Sequence, residues 1–515
     1  MRRATGSTAV VAASTLVSRI LGFIRLAVIG AVFGGSGAAD VVHLVFTIPN
    51  NLRKLTAEGA LSSAFIPVLS QTLLLGDGRR RAARVVSQLI AFQAVILVPI
   101  LVLSTIFAGP VVSVLLDFPD DTYQDLAVRL FRFMIHYTLL ISISAVVMGA
   151  LNSHNRFLVP AVTPILFSVS VILSIGLLHR FLGVFSVAVG VLVGGLAQIL
   201  FQYPLFSKLG HSLRPAFAFK GPEFRRILRR WLPVLATAGV FTINQTVAVR
   251  FASALEPGSG AALSNALTFW QLPFGVFSAS VTTVLFPRMS RQVASNDKRG
   301  LRQSVSYGIR YLFSLLVPSA VVLGLMGHEI IAVALQRGAF EAQHTALAAK
   351  TLAAYSWGLF SVGAYTFLQR FFYAHNDYRR PLITAAVAVV LDIVLSLILK
   401  ETSLRVAGLA LANSIAFTVA FVMLLIQASR MVGPFPWRSI VTTGLKVVVV
   451  SMAIVAVIVV FTNFTGVWWV DGSSIGNVFR LAAVILLCVG ITLLGFLGLR
   501  VEVLDILRRK GTSKE

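Results

Sequence analysis

The stretch "SRILGFIRLAV", Ser18 to Val28, places two permanent cations, Arg19 and Arg25, inside an apolar run. An arginine at the centre of a membrane-spanning helix costs about 2.5–3.5 kcal/mol on insertion scales, so the pair needs water or an anion in front of it. Lying six residues apart, the two project about 120° from each other on a helix, which suits the border of one wide cavity. The next apolar run carries Asp40 and then "PNNLRKLTAEGALSSAF", with Arg53 and Lys54 in mid-run and Glu58 four residues after Lys54. Lys54 and Glu58 have the spacing of an ion pair on one helix face. Pro49 and Gly59 bracket this basic segment, and irregular backbone at membrane depth belongs where it lines a cavity. Arginines 19, 25 and 53 on two consecutive helices make a cationic pocket. Its ligand would be an anion, because guanidinium forks bind phosphate oxygens bidentately.

The second half of the chain offers neutral groups instead: Asn244, Gln245, Asn265, Thr268 and Gln271, with Arg250 and Arg370 as exceptions. Asp392 is an isolated carboxylate in an apolar run, and Asn413 and Thr418 follow in the next run. An intramembrane acid reads as a cation site or a proton carrier. Nothing in the chain matches a phosphate-binding glycine loop, and no nucleophile–base–acid set can be assembled, so no enzyme and no resident cofactor is expected. Transport would draw on Na⁺ or H⁺ coupling, on the substrate's own gradient, or on the membrane potential, which supplies about 2.3 kcal/mol per charge per 100 mV.

The elements that position these residues are membrane helices. The 515 residues are 57 % hydrophobic and 12 % charged, and the mean hydropathy is +0.87. A soluble chain is about 25 % charged. The net charge of +25 falls in short loops between apolar runs, as in cytoplasmic loops of membrane proteins, and excludes nucleic acid as the partner. "GDGRRRAAR", "RQVASNDKRGLR" and "DYRRP" alternate with "GGSGAA", "DFPDDT" and "EPGSG", which are nearly free of Lys and Arg. This asymmetry places both termini in the cytoplasm and requires an even number of spans. The N-terminal "MRRATG" is read as the flank of a first membrane helix rather than as part of a signal peptide. The single cysteine, Cys488, excludes an internal disulfide.

We read an all-α polytopic membrane protein of about fourteen helices, from 8–33 to 476–500, with long second and tenth helices at 38–75 and 343–373. An internal repeat organises them. "SHNRFLVPAVTPI" matches "AHNDYRRPLITAA" at an offset of 221 (His154 to His375), and "SSAFIPVLS" matches "TTVLFPRMS" at 220 (Ser62 to Thr282). Six helices per repeat make the two lobes parallel, related by an axis along the membrane normal, the organisation of many transporters. The expected divisions are an N-lobe over 1–220, a C-lobe over 221–435, and two further helices with a tail over 436–515.

The stretches "SRILGFIRLAVIGAVFG", "AADVVHLVFTIPNNLRKLTAEGALSSAFIPVLSQ" and "GALNSHNRFLVPAVTPI" strongly resemble the MurJ/MviN family of lipid II flippases, within the multidrug/oligosaccharidyl-lipid/polysaccharide exporter superfamily. The resemblance covers essentially the whole chain, including the two extra C-terminal helices. It implies that lipid II, an undecaprenyl-diphosphate disaccharide-pentapeptide, is flipped from the cytoplasmic to the periplasmic leaflet of the bacterial inner membrane for peptidoglycan synthesis. It implies that Arg19, Arg25 and Arg53 meet the diphosphate and headgroup, that Asp40 and Glu58 occupy family positions, and that the last two helices form a groove for the lipid tail. Membrane lipids and cell-wall synthesis proteins would be the other partners. The sequence departs from the family at Leu26, where an Asp is common after the second arginine. It departs again at Thr268, where an Arg is common, and at Gln271, where an acid is common. Arg250 is the candidate to replace the lost cation, and Asp392 with Asn413 is the candidate for the family's sodium site. An exporter of another polyprenyl-diphosphate-linked glycan, and a drug or cation antiporter of the same superfamily, are the alternatives.

Overall fold

The computed structural model describes residues 2–35, 37–56, 60–465 and 474–502. Among the described residues all regular structure is helical. Two compact units divide the chain, Met1–Gly260 and Ala261–Glu515. The first holds α1 (Arg2–Phe33), α2 (Ala38–Thr56), α3 (Ala60–Leu73), α4 (Gly78–Ile106), α5 (Ala108–Leu115), α6 (Asp121–Met134), α7 (Tyr137–Ser153), α8 (Leu158–Leu182), α9 (Phe185–Lys208) and α10 (Pro222–Ser253). At the boundary begins α11 (Ser259–Pro273), followed by a π-helical turn over Phe274–Ser278. The second unit continues with α12 (Ala279–Ala294), α13 (Lys298–Leu325), α14 (Gly327–Leu335), α15 (Ala342–Ser356), α16 (Leu359–Ala374), α17 (Arg379–Leu399), α18 (Val406–Val432), α19 (Trp437–Thr465) and α20 (Ile475–Gly498).

Twelve stretches of described helix are long and apolar enough to cross a membrane. The expected fourteen differ from these at two places. In the run 38–75 the last turn of α2 carries Arg53 and Lys54, and residues 57–59 lie outside the described ones. The run 343–373 is interrupted at Trp357 and Gly358, leaving α15 and α16 with 15 and 16 residues each. Each falls short of the ~20 apolar residues that one straight span needs.

The compact units follow packing rather than the repeat. The first unit extends to Gly260 and takes in α10. The reason is apolar burial: Phe224, Ile227 and Trp231 of α10 join Phe65, Leu89, Val146 and Phe206 in one core of the first unit. In the second unit α19 and α20 cover α13 and α14, with Val447, Val450, Ile454, Val484 and Cys488 buried around Met326.

The repeat is written in the backbone. Asn155 and Asn376, the asparagines of the two His-Asn pairs, both adopt left-handed φ, 58° and 59°. Each closes its helix in the same way: Arg156 N–H donates to Leu151 O at 2.9 Å and Asp377 N–H to Phe372 O at 3.0 Å. Asparagine is among the few residues that visit this region readily. Asp77 and Asp297 occupy the N-cap positions of α4 and α13. Pro67 and Pro287 lie inside α3 and α12, and Pro99 and Pro318 inside α4 and α13.

At the end of α7, His154 Nε2 lies 2.9 Å from Nε2 of His211, in the loop after α9. Burial, assisted by the neighbouring His154, pushes the His211 imidazole down from the ordinary 6.5 to about 4. The folded state therefore holds His211 neutral, while the unfolded chain takes up a proton below pH 6.5. This contribution is complete above 6.5 and is lost as pH falls toward 4. Acidification from pH 7 to 5 should cost about 2 kcal/mol and lower the melting temperature of the purified protein. A His211→Gln variant should flatten that part of the profile, and an unchanged slope would contradict the assignment.

Candidate functional site

In the first unit, α1 packs along α8. This brings the half-buried Arg25 over Phe167, with the guanidinium carbon 4.9 Å from the ring centroid. Phe167 belongs to an aromatic group with Phe46 of α2 at 6.0 Å and Tyr137 of α7 at 5.2 Å between centroids. Tyr137 and Arg53 both lie within electrostatic reach of Arg25, as does His43. Two of the three arginines singled out in the sequence, one from α1 and one from α2, thus influence each other electrostatically. Like charges that repel one another in an apolar setting are accommodated by water or by an anion. Arg19 is exposed on α1.

The end of α2 is organised by amides. Arg53 Nε donates to Asn50 Oδ1 at 3.1 Å. Lys54 Nζ donates to Asn51 Oδ1 at 3.4 Å and to Gln245 Oε1 of α10 at 2.8 Å. Glu58, the expected partner of Lys54, lies outside the described residues. Gln245, read in the sequence as a lining residue of the other lobe, instead holds this lysine within the first unit.

Asp40 is only 4 % exposed and accepts a hydrogen bond from the Gly258 amide at 2.9 Å. Gly258 sits at φ 100°, a conformation that side chains disfavour. The carboxylate therefore fastens the start of α2 to the turn after α10. Arg250 is similarly engaged. Its guanidinium donates to Ser113 O at 2.7 Å and Val114 O at 2.6 Å, and it pairs with Asp117 at 3.2 Å. It caps the C-terminal carbonyls of α5, where a cation also suits the helix dipole. The Arg250 read from the sequence as the replacement cation is thus engaged at the end of α5 and the start of the α5–α6 connection.

In the second unit, Thr268 donates to Ser264 O one turn back at 2.9 Å, and Gln271 is exposed on α11. They stand just before Pro273 and the π-helical turn, an irregularity frequent at functional sites. Asp392 is buried, 5 % exposed. It accepts from Asn413 Nδ2 at 2.7 Å and Ser396 Oγ at 3.3 Å. The two residues paired in the sequence reading do meet; Thr418 bonds instead to Ser361 and Ser414. Arg370 is exposed on α16, with its guanidinium 5.9 Å from the rings of Phe286 and Tyr373.

The sequence reading missed Phe46, Tyr137 and Phe167. Apolar aromatics at helical spacing carry no signal that separates a packed core from the floor of a charged site. Only the approach of α1, α2, α7 and α8 distinguishes them.

A sequence profile for the lipid II flippase MurJ matches residues 29–479. The chain is 31 % identical over 469 residues to a probable lipid II flippase MurJ of Rhizobium tropici, covering 88 % of this chain and 86 % of the relative. It is 29 % identical over 483 residues to a probable lipid II flippase MurJ of Borreliella burgdorferi, covering 94 % of each. Among solved structures it resembles a lipid II flippase MurJ in an inward closed conformation, with TM-score 0.78 and 25 % identity over 95 % of this chain and 99 % of that one. An inward-facing multidrug resistance MATE family transporter of the MOP superfamily shares the fold at TM-score 0.66 and 16 % identity, over 80 % of this chain and 94 % of that one.

Proposed function

The chain belongs to the lipid II flippase MurJ family, and from that premise we propose that it carries lipid II from the cytoplasmic to the periplasmic leaflet of the bacterial inner membrane. It is a multi-pass membrane transporter and not an enzyme. The observation that carries the reading is Arg25 held over the Phe46–Tyr137–Phe167 group, with Arg53 within its electrostatic reach. A diphosphate brings the negative charge that makes two neighbouring guanidinium groups favourable, and their forked donors suit its oxygens. Arg19, exposed on the same helix, meets the headgroup before or after this contact. Asp40 acts as a tether for α2. In the second unit Thr268 and Gln271 offer hydrogen bonds where the family commonly offers charges, and Arg370 supplies a cation. The helices α19 and α20 guide the polyprenyl tail, whose apolar length stays in the lipid while the headgroup crosses. The two repeats act as lobes that alternate access to the site. The alternation of basic and neutral loops supports cytoplasmic termini.

Driving energy enters through Na⁺, H⁺ or the membrane potential. Asp392 with Asn413 and Ser396 is a set of one carboxylate and two neutral polar groups, which suits a hard monovalent cation or a proton. In Asp392→Asn the ion dependence of transport should disappear and the rate should fall about ten-fold or more. Transport measured against sodium and pH gradients in proteoliposomes checks this, and a variant with full rate and unchanged ion dependence would remove the site.

The decisive experiment for the function is replacement of the resident flippase. A strain depleted of its own protein should regain growth and lipid II externalisation when this chain is expressed. Failure to rescue despite normal membrane insertion would overturn the assignment.

A further inference from the structure

Arg25 is supported by a floor of rings. Beneath its guanidinium, Phe167 is 8 % exposed and the adjoining Tyr137 is 3 % exposed. Phe46 lies nearly parallel to Phe167, with 20° between the ring planes. The rings in turn rest against α9. A Cβ at Gly194 would stand 3.0 Å from Cδ2 and 3.1 Å from Cα of Phe167, and one at Gly195 would stand 3.0 Å from Cδ2 of Tyr137. The paired glycines let α9 come close enough to seat both aromatics, so neither ring can retreat from the arginine.

An arginine in an apolar run has an alternative, which is to extend its stem and place the charge at the membrane interface. The long stem carries rotamer entropy, and a ligand must overcome it unless the side chain is already in place. A desolvated cation over an aromatic face is attracted by the ring quadrupole, and the guanidinium edges then remain available to acceptor oxygens. We propose that Phe167, seated on Gly194, is a positioning residue for transport: it holds the Arg25 guanidinium in place to receive the diphosphate of the substrate. The inference rests on the reading of Arg25 as a diphosphate ligand.

Fluorinated phenylalanines test it, because each added fluorine weakens the quadrupole while nearly preserving the shape of the ring. Full-length protein carrying mono-, di- or trifluorophenylalanine at position 167 would be placed in nanodiscs, and lipid II binding would be titrated beside the melting temperature. Affinity should fall stepwise, by about five-fold across the series, at constant melting temperature. In an Arg25→Ala background the same series should be flat. A flat series in the otherwise native protein overturns the proposal, and so does an equal decline without Arg25. If Arg25→Ala alone leaves lipid II binding intact, the reading of Arg25 as a ligand falls, and the positioning role falls with it.

Discussion

Arg25→Ala is expected to abolish rescue of a flippase-depleted strain and to weaken lipid II binding by about 100-fold or more, with normal amounts of protein in the membrane. Removing one partner of a desolvated, hydrogen-bonded charge pair costs about 2–5 kcal/mol, and every 1.4 kcal/mol is a factor of about ten. Arg25 is half-buried over Phe167, so its charge meets the substrate in a medium that screens it poorly. Arg25→Lys keeps the charge but loses the planar fork, and should recover only a part of the binding. Arg53→Ala should behave like Arg25→Ala, because the two guanidinium groups address one anion. The folded protein should lose little stability in either alanine variant, because the relief of repulsion between the two cations offsets the lost Phe167 contact of Arg25 and the lost Asn50 hydrogen bond of Arg53. Growth rescue, lipid II titration and melting temperature read these outcomes together. Full rescue by both alanine variants would eliminate the proposed site.

Asp40→Ala should also abolish rescue, by a different route. The carboxylate is buried and accepts from the Gly258 amide. Its loss leaves a buried donor unsatisfied and frees the first turn of α2 from the turn after α10. Charged hydrogen bonds of this kind contribute about 1.5–3 kcal/mol, and the melting temperature should drop accordingly. Asp40→Asn retains an oxygen for the Gly258 amide and should keep most of the stability. The contrast separates the tether from a substrate contact. Normal stability in Asp40→Ala, with binding alone reduced, would mean that the carboxylate faces the ligand after all.

Much of this molecule can be read from residue order. The 57 % hydrophobic content, the spacing of the apolar runs and the distribution of Lys and Arg specify a polytopic helical protein, because lipid leaves the backbone few ways to satisfy its hydrogen bonds. The repeat was legible because caps are local: a left-handed asparagine or an N-terminal aspartate acts within one turn of its own helix, so Asn155 and Asn376 reappear in the sequence as they do in the backbone. The arginines were legible because charge in an apolar run is costly wherever the helix points.

Partnership was not legible, because it depends on which helix faces which. Arg250 and Asp40 looked like ligands, yet each is engaged by backbone groups distant in sequence, at Ser113 and Val114 and at Gly258. Lys54 donates to Gln245 of α10, a partner that no local spacing announces. The first compact unit runs to Gly260 because three apolar side chains of α10 join its core. By itself the sequence determined the helices, their repeat and the charges they carry, all of which follow from local backbone chemistry and transfer from water to lipid. Only the tertiary structure decided that Arg25 rests on Phe167 and that Asp392 meets Asn413, because such contacts arise from the packing of helices whose sequence spacing says nothing about their approach.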